Sequence, residues 1–305
     1  MITYVMGDLF QSPAKVLVNP VNTVGVMGKG LGAEFKRFYP EMFDQYRVLC
    51  ETGRFRVGQL HVYRTAHKWA LNFPVKRHWR DAAQLSDIEA SLQKFAAVYA
   101  EHGMTSVSFP MLSMGESKLN WQSEMRPLME AYLQPLPIAV YIHVFDEATL
   151  NRNTRSVAAW LHGTPQPIAF DKLWRDLLRL IKRKTDFVTA DGTPFSVTQD
   201  EKARSRSVVL VKAGDSTYLS ESLLADLWHY LRGAGYAQAD NMPSGLDGCA
   251  DCLLALLGEL DYLDTVALSA SSRDDGEAPR TGLHYIPPTR KDEPRIAQLA
   301  LRSDV

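Results

Sequence analysis

Apolar residues in the first half of the chain fall into short runs separated by amphipathic stretches. Ile2 to Val5, Val16 to Val18, Gln59 to Arg64, Trp69 to Phe73, Ser106 to Pro110 and Ile138 to Phe145 each read as a strand. Between them, apolar positions recur at helical spacing. Leu31 to Tyr39 is a helix stopped at Pro40, and Met42 to Glu51 is a second, with Phe43, Tyr46 and Leu49 on one face. Leu85 to Glu101 turns Ile88, Leu92, Phe95, Ala96 and Tyr99 inward, starts on a Ser86/Glu89 capping box and ends at His102-Gly103. Trp121 to Leu133 is a fourth helix. Strands alternating with helices predict an α/β domain over residues 1–147, in three layers around a mixed, largely parallel sheet.

The pattern then changes. Residues 148–168 read as a linker, with a helix from Ala148 to Leu161 and a breaker cluster at Gly163-Thr164-Pro165-Gln166-Pro167. Residues 169–305 read as a smaller α+β domain for protein interaction. Phe170 to Lys184 is an amphipathic helix with Leu173, Trp174, Leu177, Leu178 and Ile181 inward. Thr185 to Arg206 is polar and turn-rich, and Ser207 to Lys212 is a strand. Leu219 to Leu231 and Cys249 to Asp261 are helices. Thr265 to Leu268 and Leu283 to Ile286 form a hairpin around the hydrophilic tip Ser269–Arg280. Two helices followed by a two-stranded wing make a winged-helix-like arrangement one reading of this half.

Composition narrows the function classes. The net charge of −1 argues against a generally basic nucleic-acid binder, while leaving room for a local patch. No run approaches the roughly 20 apolar residues of a membrane span, and MITYVMGDLF lacks the features of a signal peptide. Cys50, Cys249 and Cys252 supply no disulfide framework, so a reducing, cytoplasmic compartment is expected. Cys249-Ala250-Asp251-Cys252 has metal or redox spacing, but no second pair completes a zinc site; core cysteines on a helix account for it. No metal and no cofactor are expected.

The chemistry concentrates at strand ends. Val16 to Phe35 runs from a buried strand through the turn formers Asn19-Pro20-Val21-Asn22-Thr23 into Gly25, Gly28, Gly30 and Gly32, and then into a helix. That order wraps backbone N–H groups around a phosphate. Asp8, with a local cap as its simpler role, also follows a strand. So do the basic, aromatic stretch Asn72-Phe73-Pro74-Val75-Lys76-Arg77-His78-Trp79-Arg80 and the small-residue loop Ser113 to Lys118. Ligands of α/β sheets bind beyond the carboxyl ends of strands, where all of these meet. Lys76, Arg77, His78, Trp79 and Arg80 read as an anion-facing wall, with a solvated loop and two anchoring aromatics as the simpler reading.

Gly7-Asp8-Leu9-Phe10, Val18-Asn19-Pro20-Val21-Asn22 and Gly25-Val26-Met27-Gly28-Lys29-Gly30, followed by Asn-Phe-Pro-Val-Lys-Arg-His-Trp-Arg, resemble a macrodomain. Within that family they are most similar to the DarG branch, antitoxins that remove ADP-ribose from thymidine in DNA and are partnered by the DNA ADP-ribosyltransferase DarT. The resemblance covers about the first half of the chain. It implies that Asp8 accepts from the adenine amine and that Asn22 holds the distal ribose. It places Leu9, Asn19, Thr23, Gly25, Val26, Met27, Gly28, Lys29 and Gly30 along one wall of an ADP-ribose site, and Ser113, Met114, Gly115 and Glu116 along the other. Lys76 falls at the branch's catalytic lysine and, with Asn22, carries the chemistry as nucleophile or charge stabiliser. Under this resemblance Arg77, His78, Trp79 and Arg80 suit a DNA strand, because cations take phosphates and an indole stacks on a base. DarG-type proteins also carry a C-terminal domain that engages DarT. The chain departs from the branch at Pro20, where threonine is usual, and at Ser113-Met114-Gly115, where Gly-Cys-Gly is usual. A module that holds ADP-ribose without cleaving it, acting through a protein partner, is therefore the alternative. A regulator binding duplex DNA through its C-terminal half is a third.

Overall fold

The computed structural model describes residues 2–112, 119–144, 154–200, 206–269 and 280–290. Its first half contains β1 (Ile2–Met6), β2 (Val16–Val21), α1 (Gly30–Phe38), α2 (Pro40–Glu51), β3 (His61–Tyr63), β4 (Trp69–Pro74), α3 (Leu85–Val98), β5 (Ser106–Pro110), α4 (Arg126–Leu133) and β6 (Ala139–Val144). A short π-helical turn, Trp121–Met125, leads into α4 and is capped by the Asn120 side chain. The second half contains α5 (Thr154–His162), β7 (Thr164–Pro165), α6 (Phe170–Arg183), β8 (Asp186–Val188), β9 (Pro194–Gln199), β10 (Ser207–Lys212), β11 (Asp215–Ser220), α7 (Glu221–Ala234), β12 (Tyr236–Gln238), α8 (Ala250–Leu257), β13 (Leu263–Ser269), β14 (Arg280–Tyr285) and β15 (Thr289–Arg290).

Strands β1, β6, β5, β2 and β4 run parallel, and β3 closes one side antiparallel to β4. The apolar runs have no polar alternation because both faces are covered. Val16, Leu17 and Val18 of β2 are all fully buried. One face packs on α3 and α4 through Ile88, Leu92, Phe95, Met129 and Leu133. The other packs on α1, α2 and α5 through Phe35, Phe38, Met42, Tyr46 and Leu161. This is the expected three-layer α/β architecture around a largely parallel sheet.

The second half differs from the reading given above. Thr185–Arg206 is not only turns: it supplies β8 and β9, which join β10 and β11 in an antiparallel sheet. Phe195 and Val197 are the inward residues of β9, too few to announce a strand. A two-residue turn at Ala213-Gly214, with φ of 51° and 90°, links β10 to β11; positive φ at both positions is what such a hairpin demands. The hairpin β13–β14 forms but is not the wing of a winged helix. β13 pairs antiparallel with β1, Val5 opposite Leu268, and β14 pairs with β12. Among the described residues the result is one nine-stranded sheet, ordered β12-β14-β13-β1-β6-β5-β2-β4-β3. The physical reason is the exposed edge that β1 otherwise presents, and Val266 and Leu268 pack beside Val5, Ala14, Tyr141 and Tyr236 once it is covered. The second half keeps a core of its own around Leu177, Val197, Leu227 and Leu253. Cys249 and Cys252 are buried free thiols in that core. Lys184, at the end of α6, pairs with Glu259 at 2.6 Å. Among the described residues no helix is long and apolar enough to cross a membrane.

The halves also meet at the end of α7. Tyr141 donates to the Ala234 carbonyl at 2.6 Å. Gly235 ends the helix at φ 78°, and a Cβ there would lie 2.2 Å from the Pro13 Cβ. Left-handed strain of about 1 kcal/mol and overpacking of about 1–3 kcal/mol then add. Gly235→Ala is expected to lower unfolding stability by about 2–4 kcal/mol in urea denaturation. A loss below about 0.5 kcal/mol would show that this contact does not join the halves.

Candidate functional site

Parallel strands put their carboxyl ends on one edge, where the loops after β1, β2 and β4 meet. Beneath that edge, Asn19 and Asn72 lie in register on β2 and β4. The Asn19 amide donates to Asn72 Oδ1 at 2.9 Å. The Asn72 amide donates to His61 Nδ1 at 3.0 Å, and His61 Nε2 lies 3.3 Å from Gln45 Oε1. Burial pushes His61 down to about 4, so its ring is neutral and accepts this bond. Asn19 is thus a fully buried strut below the site rather than a group on its surface. Asn72, the partner that makes this possible, reads in the sequence as the start of a strand-end loop; it lies within β4 and is fully buried.

Asn22 organises the glycine loop. Its Oδ1 accepts from the N–H groups of Val24 and Val26 at 3.0 and 3.3 Å, and its Nδ2 donates to the Val26 carbonyl at 2.7 Å. The Tyr46 hydroxyl lies 2.7 Å from the Asn22 carbonyl and 3.2 Å from its Oδ1. Tyr46 was not singled out from the sequence except as a helix-face residue. Gly25, at φ 81°, lies beside Arg47 and Cys50 of α2, and its left-handed backbone favours glycine there. The loop then opens: a Cβ at Gly28 or Gly30 would meet nothing within 4 Å. Lys29 precedes α1 without a side-chain cap, so the first-turn N–H groups of α1 have no side-chain acceptor from that position. An open loop at a helix N-terminus suits an anion. Val26 points outward, 40% exposed, whereas the side chains of Met27 and Leu9 belong to the core. Any ligand contact from Leu9 or Met27 is through backbone.

Thr23 ties this loop to the one after β4. Its N–H and hydroxyl both donate to the Arg77 carbonyl, at 3.1 and 2.9 Å. Lys76 is held beside the glycine loop, its ammonium donating to the Trp79 carbonyl at 3.1 Å. Arg77 reaches back to the buried carboxylate of Asp87 at the start of α3, at 3.3 Å. His78, Trp79 and Arg80 form an exposed stack, with ring centroids 5.6 Å apart and the Arg80 guanidinium 4.5 Å from the indole. Asp8 caps the turn Leu9–Gln11, accepting from the Phe10 N–H at 3.0 Å. Asp8, the glycine loop and Lys76 thus share one edge. Ser113, Met114, Gly115 and Glu116 lie outside the described residues. Among the described residues no group of acidic, histidine and cysteine side chains is placed to hold a metal ion.

Two further polar groups behind the edge, Lys68 and His143, are buried and hydrogen-bonded. Lys68 donates to the Ser12 and Ala14 carbonyls at 2.7 Å each, and burial pushes it down to about 7. His143 bonds the Gly7 carbonyl at 3.1 Å and approaches Ser108 at 3.4 Å.

Residues 18–126 match the model of the Macro domain family. A DNA ADP-ribosyl glycohydrolase of Mycobacterium tuberculosis is 41% identical over 138 residues, covering 44% of this chain and 39% of that protein. A DNA ADP-ribosyl transferase–DNA ADP-ribosyl glycohydrolase fusion protein of Thermosipho africanus is 32% identical over 162 residues, covering 47% of this chain and 42% of that one. The matches thus span about two fifths of the length of these curated relatives. Among solved structures, the macrodomain of Mycobacterium tuberculosis DarG is 39% identical, with a TM-score of 0.45, covering 47% of this chain and 97% of that one.

Two outcomes follow from this geometry. Tyr46→Phe removes the brace under Asn22 and is expected to cost about 1 kcal/mol of stability in chemical denaturation; an unchanged midpoint would show that the loop stands without it. Burial also lowers His61, His67 and His143 to about 4 and His284 to about 3. The unfolded chain binds these protons first, so stability is full above about pH 6.5 and falls as the pH drops towards 4. Each histidine adds up to about 1.4 kcal/mol per pH unit. Urea midpoints at pH 7.5 and pH 5 measure the slope, and equal midpoints would contradict it.

Proposed function

We propose that this chain, whose residues 18–126 are a Macro domain, is a DNA ADP-ribosyl glycohydrolase. It binds ADP-ribose along the carboxyl edge of its sheet and hydrolyses the N-glycosidic bond to thymine in single-stranded DNA. The observation that carries this reading is the Thr23–Arg77 clamp, which fixes the open glycine loop beside Lys76. The loop and the α1 N-terminus take the diphosphate. Asp8 takes the adenine amine, and Asn22 acts through the loop it shapes around the distal ribose. The Lys76 ammonium works at the anomeric carbon, as nucleophile or by stabilising charge as the base departs and water adds. The stack of His78, Trp79 and Arg80 offers a strand of DNA one aromatic face and cations, with Arg77 anchoring their loop to α3. Removal of a base modification makes this a DNA-repair activity.

The same reading makes the protein the antitoxin of a toxin–antitoxin pair, cytoplasmic, with a DarT-type ADP-ribosyltransferase as partner of the C-terminal half. The relative that joins transferase and glycohydrolase in one chain supports the pairing. Tyr218 of β11, 65% exposed, and Val188 of β8, 58% exposed, lie on the two edge strands of the four-stranded sheet of the second half. One observation favours the alternative of an ADP-ribose-binding module without turnover: the Lys76 ammonium is engaged by its own loop at Trp79.

Wild type and Lys76→Ala, incubated with an ADP-ribosylated thymidine oligonucleotide, separate the two. Release of ADP-ribose by wild type, slowed at least about 100-fold in the variant, is the expected result. No release by wild type, with calorimetric binding of ADP-ribose retained, would leave the binding module.

A further inference from the structure

A cleft of about 350 Å³ opens where the two halves of the chain meet, within the range of small-ligand sites. One wall is the end of β1 with Asp8 and Gln11, and the other is built by β13, β14 and β12. β13 runs antiparallel to β1 with Ala267 opposite Met6, so Asp264 to Val266 extend past the end of β1. They lie along the same edge as Asp8. Asp264 is opposite His284, and His284 is opposite Tyr236, so three strands of the second half present one face to the cleft.

His284 is the polar centre of that wall. It is 6% exposed and packs on Tyr236 with ring centroids 4.6 Å apart. One ring nitrogen bonds the Gln11 backbone, and burial keeps the ring neutral. Its Nε2 is buried with no hydrogen-bond partner among the described residues. A neutral imidazole whose one N–H is committed presents the other nitrogen as an acceptor, and leaving it unmet is unfavourable. The described lining contains Asp8 and Asp264 and neither lysine nor arginine, so it repels phosphate and favours uncharged donors.

We infer that the C-terminal half completes the base end of the ligand site, with His284, Asp264 and Asp8 together accepting from an amine-bearing purine. The inference rests on the ADP-ribose reading above. It makes the second half a part of small-molecule recognition as well as a candidate docking surface. The glycine loop and α1 take the charged middle of the ligand; the joint between the halves selects its base.

Calorimetry on the full chain tests this with three probes: ADP-ribose, its inosine analogue lacking the amine, and ribose 5-phosphate. Wild type is expected to prefer ADP-ribose over the inosine analogue by about tenfold or more. Asp264→Trp, at an exposed rim position, is expected to weaken ADP-ribose by about tenfold or more while leaving ribose 5-phosphate unchanged. His284→Gln is expected to narrow the preference for the amine. If wild type binds ADP-ribose and both variants bind all three probes as wild type does, the inference is overturned and the parent reading stands. If wild type binds no ADP-ribose at millimolar ligand, the parent reading fails and takes this one with it.

Discussion

A parallel sheet covered on both faces makes an unpaired polar group costly, and this constraint organises the molecule. Within the layers, each amide, hydroxyl or imidazole has to find its partner in the next strand. Asn19, Asn72 and His61 do so through their nitrogens across three neighbouring strands, with Asn19 Oδ1 left without a partner among the described residues. Ser12, Ser108 and His143 do so across the loop before β2 and the strands β5 and β6. Lys68 satisfies its ammonium on two backbone carbonyls and lies over the Trp160 ring at 5.0 Å. At the carboxyl edge the backbone itself is left open. There Gly28 and Gly30 face open space.

The edge was legible in the sequence because its residues follow apolar runs. Asn22, the glycines and Lys76 all stand directly after strands, and the three-layer arrangement follows from the spacing between them. Side-chain direction was not legible. Asn22 reads as a ribose contact, yet its amide is turned into its own loop. Arg77 reads as part of a DNA-facing wall, yet its guanidinium returns to Asp87. These directions depend on residues distant in sequence, and a local pattern holds no record of them.

The second half was harder to read for a related reason. β11, with Asp215-Ser216-Thr217-Tyr218, carries a single buried residue, Leu219, and forms because β10 offers it a ladder. The β13–β14 hairpin was visible as two apolar runs around a hydrophilic tip, but its pairing with β1 joins opposite ends of the chain. No periodicity within a window can announce a contact of that range. The consequence reaches the candidate site, because the strands that extend the sheet also extend the edge that carries Asp8.

The pairing of β1 with β13 also sets an order of events during synthesis. β1 leaves the ribosome well before β13, which follows only after more than 250 intervening residues. Until then the nascent first half carries an open strand edge, of the kind that recruits other chains. The two halves are thus bound together in time as well as in space: a strand that emerges late shields one that emerged early.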